Sequence, residues 1–300
     1  MRYQRDALID QIYAAAKEDH DIYILSADFG APALDRFRND LSGQFVHLGI
    51  SEQNLINVAI GMSLRGKKVF TYAMAPFISL RCAEQHKIAA MMRLPIVNII
   101  AGVGLGYANA GPTHYATEDY SVAVNTINSS VYTTSDATQA AGFVDYYLKN
   151  PHYCFVRLDR AAGPDLMPKS DYNTGYRQLL SGGQTCVVTH GYFVGKIYSW
   201  ILNSGQEGNM SLFDLFASKP LPKGFLELLS SFKKVVFVDE QIRSSSLGTF
   251  ITPLLNKTSP ETQIENIALD EKFMFENVGR DKLVELAGIN SETIMPAIFT

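Results

Sequence analysis

Short β-branched or aromatic runs alternate with helix-length segments along the whole chain, and this alternation restricts the fold more than any other feature. Residues 22–25, 69–72, 96–100, 131–133 and 153–157 read as strands. The run from Ile96 to Ile100 is almost continuously apolar, as a strand covered on both faces should be. Helical patterns occupy residues 5–16 and 81–92, and another begins at Ser135-Asp136-Ala137-Thr138, where Ser135 suits the N-cap. Strand and helix in alternation predict an α/β fold on a mostly parallel sheet.

The pattern breaks at residues 161–183, which are rich in Pro, Gly and polar residues, and then restarts. Strands are expected at 185–189, 212–215 and 233–238, with helices at 195–202, at 221–232 and from Ser246. A chain of 300 residues has room for two domains of about 150 residues each. The expected division is 1–165, a linker at 166–183, and a smaller domain at 184–300. A hydrophobic content of 47% with 19% charged residues describes an ordinary soluble globular protein. The net charge of −4 gives no basic footprint for nucleic acid or for a membrane surface. No apolar stretch approaches the roughly 20 residues needed to span a bilayer, and residues 1–10 have no signal-peptide core. Cys82, Cys154 and Cys186 never form a Cys-x-x-Cys pair, which argues against zinc and fits a reducing cytoplasm.

Two segments carry chemistry. Gly49-Ile50-Ser51-Glu52-Gln53-Asn54 follows the run Phe45-Val46-His47-Leu48 and opens a helical pattern through Leu55, Ile56, Ala59 and Met62. Gly111-Pro112-Thr113-His114 follows the glycine-rich loop 101–106, whose spacing never gives Gly-x-Gly-x-x-Gly. Taken alone, Glu52 is an acid favoured by a helix dipole, and His114 is a surface or hydrogen-bonded loop residue. Taken together, these segments resemble the pyrimidine-binding domain of the transketolase family of thiamine-diphosphate enzymes. The likeness is strongest to the small subunit of split transketolases and extends over nearly the whole chain. It implies two doubly wound α/β domains, the first binding the cofactor's pyrimidine and the second like the transketolase C-terminal domain.

The resemblance also implies roles. The acid at Glu52 hydrogen-bonds N1′ of the cofactor's aminopyrimidine and so promotes loss of the thiazolium proton; its environment must then set its protonation state. His114 contacts donor oxygens and exchanges protons with them. An aromatic ring at Phe77, or the side chain at Ile78 in other relatives, stacks on the pyrimidine. Asp28 in Ser26-Ala27-Asp28 lies near the cofactor, or is simply a turn former. Arg160 binds a substrate phosphate through its planar fork; alternatively Arg157 and Asp159 form a structural pair. Three positions depart from the family pattern. Ala110 replaces an acid, Ala33 a serine, and Gly102 a phosphate-binding His. Pentose phosphates are therefore less well matched, and a nucleotide-linked keto sugar joins sugars and sugar phosphates as an expected substrate.

No Gly-Asp-Gly segment occurs. In the family that segment, with a later Asn, holds the diphosphate through Mg²⁺, which needs oxygen ligands in near-octahedral geometry. A larger partner subunit is expected to supply it, in an α₂β₂ assembly that moves a two-carbon ketol unit from a ketose to an aldehyde or ketone. A β subunit of a 2-oxoacid or acetoin dehydrogenase would instead resemble Gly-Gly-x-His-x-Ser at the His114 loop. A non-catalytic subunit is the other alternative, prompted by the three departures.

Overall fold

A computed structural model describes residues 1–28 and 31–299; Thr300, the end of the second expected domain, lies outside them. The first sheet has seven strands in the order Ala217–Lys219, Ser130–Thr133, Cys154–Leu158, Ile96–Ala101, Lys68–Met74, Ile22–Ser26 and Phe45–His47. Neighbours run parallel except Ala217–Lys219, which is antiparallel to Ser130–Thr133. The two-residue period of a strand sends alternate side chains to opposite faces. Val69, Ala73, Ile96 and Ile100 thus meet helix Glu52–Leu64 through Leu55, Ile56 and Ala59. Phe70, Tyr72, Val97 and Ile99 face the other way, onto helices Gln4–Glu18 and Ala137–Lys149 through Leu8, Ile12, Ala140 and Phe143. Apolar burial on both faces makes this a doubly wound α/β sheet.

The second sheet has five strands in the order Gln263–Leu269, Lys234–Ile242, Thr185–Thr189, Ser211–Asp214 and Arg177–Leu180. The first four are parallel and the last is antiparallel. Helices Tyr192–Ser204 and Ser291–Phe299 cover one face and Leu247–Thr258 the other. Leu247, Ile251 and Leu255 share one buried cluster with Tyr120 and Ala123 of the first sheet's helices, so the two layers pack as one body.

Several local expectations change. Strand Arg177–Leu180 falls inside the stretch read as a linker, and Ala217–Lys219 crosses back to the first sheet. The helix expected at 221–232 is only Phe225–Leu229, and the one at 81–92 is Ala83–Met91, preceded by a short helix Ala75–Leu80. Asp136, not Ser135, caps helix Ala137–Lys149, its carboxylate accepting the Gln139 N–H at 2.7 Å. The same carboxylate pairs with buried Arg177, while the Ser135 hydroxyl is committed to Asp214. A charged acceptor already anchored by a guanidinium displaces the neutral hydroxyl from the cap.

Candidate active site

Parallel strands place their following loops along one edge of the sheet, where ligands of such folds bind. Five neighbouring strands carry the five residues singled out from the sequence. Arg160 follows Cys154–Leu158, His114 lies on the loop after Ile96–Ala101, and Phe77 follows Lys68–Met74. Asp28 follows Ile22–Ser26, and Glu52 follows Phe45–His47. Residues far apart in sequence thus share the carboxyl edge.

Glu52 is the first residue of helix Glu52–Leu64 and is 2% exposed. Its Oε2 accepts a 2.6 Å hydrogen bond from half-exposed Arg81, and its carboxylate has no other hydrogen bond among the described residues. Arg81 also lies 5.0 Å from the Phe77 ring centroid, and that ring meets His114 edge to face at 5.2 Å. Ile78, the alternative to Phe77, is fully buried in the core, so Phe77 is the side chain turned toward His114.

Buried His86 supports this group from behind. Its Nε2 lies 2.7 Å from the Ile78 carbonyl, which can only accept, so Nδ1 accepts from the Tyr153 hydroxyl, also at 2.7 Å. Burial brings the His86 pKa down to about 4 and keeps the ring neutral.

Asp28, Tyr72, Tyr107 and Arg160 form a second group. The Arg160 guanidinium sits 4.7 Å from the Tyr107 ring centroid. Burial, and then the Asp28 carboxylate, raise the pKa of both Tyr72 and Tyr107, so both phenols stay protonated. At Gly102, with φ +80°, an added Cβ would fall inside the Tyr107 ring. The space that a side chain at 102 would occupy is filled from five residues further on.

Tyr107 and His114 ride on one loop with a closed neck: Gly104 and Ala116 exchange two backbone hydrogen bonds of 2.9 Å. Strand Lys234–Ile242 of the second sheet clamps this neck. Glu240 packs against Gly104 and accepts the Leu105 N–H at 3.4 Å. The Gln241 amide donates to the Ala116 carbonyl at 2.8 Å and accepts the Tyr120 N–H, and the Ile242 N–H reaches the Thr117 carbonyl at 3.0 Å. Arg280 holds Glu240 (Nε to Oε1 2.9 Å) and Asp159 (Nη1 to Oδ2 2.7 Å) while lying 3.7 Å from the Tyr192 ring centroid.

These contacts correct the reading of Arg157 and Asp159 as partners. Arg157 is buried and grips Asp119 with two bonds of 2.7 and 3.0 Å, whereas Asp159 belongs to Arg280. Sequence reasoning missed Arg81, Tyr107 and Arg280. Arg81 stands one helical turn beyond Phe77, a usable signal, but nothing local marks Arg280 as a partner of residues on two other segments. Among the described residues no cluster of three or more His, Cys, Asp or Glu could hold a metal.

Side chains gathered at the carboxyl edge of a doubly wound α/β sheet stand where ligands of such folds bind. Residues 3–165 match the family described as transketolase, pyrimidine binding domain, and the chain belongs to the transketolase family. It is 27% identical over 271 residues to one of the subunits of the apulose-4-phosphate transketolase of Phocaeicola vulgatus, covering 88% of this chain and 86% of that protein. It is 28% identical over 196 residues to the 6-deoxy-6-sulfo-D-fructose transketolase subunit SqwH of a Clostridium species, covering 64% of this chain and 61% of that one. A solved structure described as a split gene transketolase, inactive beta4 tetramer, superposes with a TM-score of 0.87 at 20% identity, over 99% of this chain and 97% of that one. In extent and fold the chain is similar to the subunits of split transketolases that it matches.

Proposed function

We propose that this subunit, joined to a larger partner chain, transfers a two-carbon ketol unit from a ketose to an aldehyde or ketone acceptor, with thiamine diphosphate as cofactor. One observation carries the reading: Glu52 is buried at the sheet's carboxyl edge with one carboxylate oxygen paired to Arg81 and no other hydrogen bond among the described residues. A buried carboxyl group with an open oxygen, beside a half-buried ring at Phe77, fits an aminopyrimidine that is both flat and hydrogen-bonding. When bound, thiamine diphosphate supplies a carbon nucleophile and an electron sink. Glu52 then holds the pyrimidine nitrogen, and Phe77 supports its face. His114 accepts the proton of the donor hydroxyl whose carbon–carbon bond breaks, and returns one to the acceptor oxygen as the new bond forms.

The partner contributes the diphosphate and Mg²⁺ site that this sequence lacks, in an α₂β₂ assembly. Two relatives are named for sugars bearing a phosphate or a sulfonate. A sugar with an anionic group is therefore the substrate class we propose, and a nucleotide-linked keto sugar falls within it. Three unpaired, buried cysteines suit a reducing cytoplasm. The test is to co-purify the partner, reconstitute the complex, and compare wild type with Glu52→Gln. Loss of a positioned acid–base group lowers kcat by about 10²–10⁴-fold. Full activity in Glu52→Gln would overturn the mechanism, and a chain that purifies alone and carries out the transfer would overturn the need for a partner.

A further inference from the structure

We propose that the cleft between residues 161–166 and helix Tyr192–Ser204 is an effector site for a small uncharged molecule with an apolar body and one carbonyl oxygen. The site is separate from the five-residue group at the carboxyl edge and independent of the ketol-transfer reading.

The cleft has a volume of about 230 Å³. An apolar cavity of about 150 Å³ holds benzene, so a ring carrying a short substituent has room here. Ala161, Ala162, Pro164 and Leu166 line one side, and helix Tyr192–Ser204 lines the other through Gly195. A Cβ added at Gly195 would meet no neighbouring atom within 4 Å. Glycine inside a helix costs about 1 kcal/mol relative to alanine, and packing does not demand it at this position. Its effect is to keep the cleft open.

The cleft also holds a buried donor without an acceptor. Gln4, 4% exposed, lines it. The Gln4 amide oxygen accepts the Thr134 hydroxyl at 2.7 Å and the Asp159 N–H at 3.0 Å. A backbone N–H can only donate, which fixes the oxygen on that side. The amide nitrogen then donates no hydrogen bond among the described residues. A buried donor left unpaired costs about 1–3 kcal/mol, and a ligand oxygen would recover it.

Charge decides what kind of oxygen. Asp136 and Asp159 line the cleft, and each is already engaged. Asp136 accepts from the Gln139 and Leu166 N–H groups and from Arg177, which also serves Asp214. Asp159 accepts from the Ala161 N–H and from Arg280, which also serves Glu240. Lys196, the one cation lining the cleft among the described residues, is paired with Asp281. Five carboxylates against three cations repel an anionic ligand. A carbonyl oxygen satisfies Gln4 while adding neither a negative charge nor a donor that needs a partner.

The position of the cleft couples it to the His114 loop. Tyr192 lines it, and Arg280 rests 3.7 Å from the Tyr192 ring centroid while holding Glu240 against Gly104. An occupant that restrains the Tyr192 ring therefore steadies the clamp on the loop neck.

The test titrates acetophenone, ethylbenzene and benzoate separately into the full chain, following backbone amide NMR shifts at residues 161–166 and 195. Acetophenone should bind, ethylbenzene about 5-fold more weakly for want of the acceptor, and benzoate more than about 10-fold more weakly. Gly195→Leu fills the cleft and should abolish binding; Ser199→Leu, at an exposed position one turn further along the same helix face, should weaken it. Circular dichroism confirms that each variant is folded. No shifts in wild type, or binding unchanged in both variants, would overturn the site. Benzoate or ethylbenzene binding as tightly as acetophenone would overturn the ligand class. Hydrogen exchange in peptides covering residues 102–118 should slow about 10-fold at about ten times the acetophenone Kd. Unslowed exchange with acetophenone bound would overturn the effector role.

Discussion

Replacing Arg280 with Met should be among the most damaging single changes outside the carboxyl edge itself. One guanidinium neutralises two buried carboxylates, Glu240 and Asp159, whose side chains are 7% and 3% exposed. Removing one partner of a buried ion pair costs about 3–5 kcal/mol, because the charge left behind loses both water and its counter-ion. Two stranded carboxylates place Arg280→Met at the upper end, about 4–5 kcal/mol out of a total stability on the order of 5–15 kcal/mol. The pH dependence has a definite sign. Burial already raises the Glu240 pKa above the ordinary value of 4.5, with Arg280 opposing the rise. Without Arg280 the rise is larger. A raised carboxyl binds its proton more tightly when folded, so its stabilising contribution is present at low pH and is lost as pH rises through the folded value. The variant should therefore recover part of its deficit between pH 7 and about pH 5, while wild type changes less. Urea unfolding at both pH values measures this directly. A deficit below about 1 kcal/mol at pH 7, or one that is the same at pH 5, would refute the reasoning.

Two further perturbations probe the supports. The His86 pKa falls from 6.5 to about 4 on folding, so its contribution is present above about 6.5 and is lost as pH drops toward 4. That amounts to about 3 kcal/mol of acid destabilisation; His86→Gln should flatten the limb, and an unchanged limb in urea midpoints from pH 7 to 4 would contradict it. Gly104→Ala would drive a methyl group into the Glu240 carboxylate at a backbone φ of +59°. A loss of about 2 kcal/mol is expected in thermal unfolding, partly restored by a second change, Glu240→Ala; no loss would mean that the loop moves freely against the second sheet.

Strand and helix alternation was legible because burial on both faces leaves continuous apolar runs such as Ile96 to Ile100. The common location of the five candidate residues was legible because each follows a strand in a short motif, so chain position alone delivers them to one edge. Partners from distant segments were not. Arg157 sits two residues from Asp159, yet it pairs with Asp119, 38 positions away, because the strand sends Arg157 into the core beside Tyr120. The cap at Ser135 failed for a similar reason: the competing carboxylate of Asp136 is anchored by Arg177, which lies 41 positions further on. Short range is where sequence chemistry speaks. Ion pairing in the interior is decided by which layers meet.

The second domain gains a role from this geometry. Three consecutive residues at the end of strand Lys234–Ile242 touch the loop that bears His114 and Tyr107, at Gly104 and Leu105, at Ala116 and Tyr120, and at Thr117. Those contacts lie at the neck of the loop, not at its tip. A clamp there leaves the tip side chains free to meet a ligand while removing the backbone freedom that would blur their positions. Glu240 can do this only because glycine at 104 lets its carboxylate approach the backbone, and because Arg280 offsets its buried charge. The second sheet therefore holds the loop that bears His114 at its neck without contributing a side chain to the five-residue group.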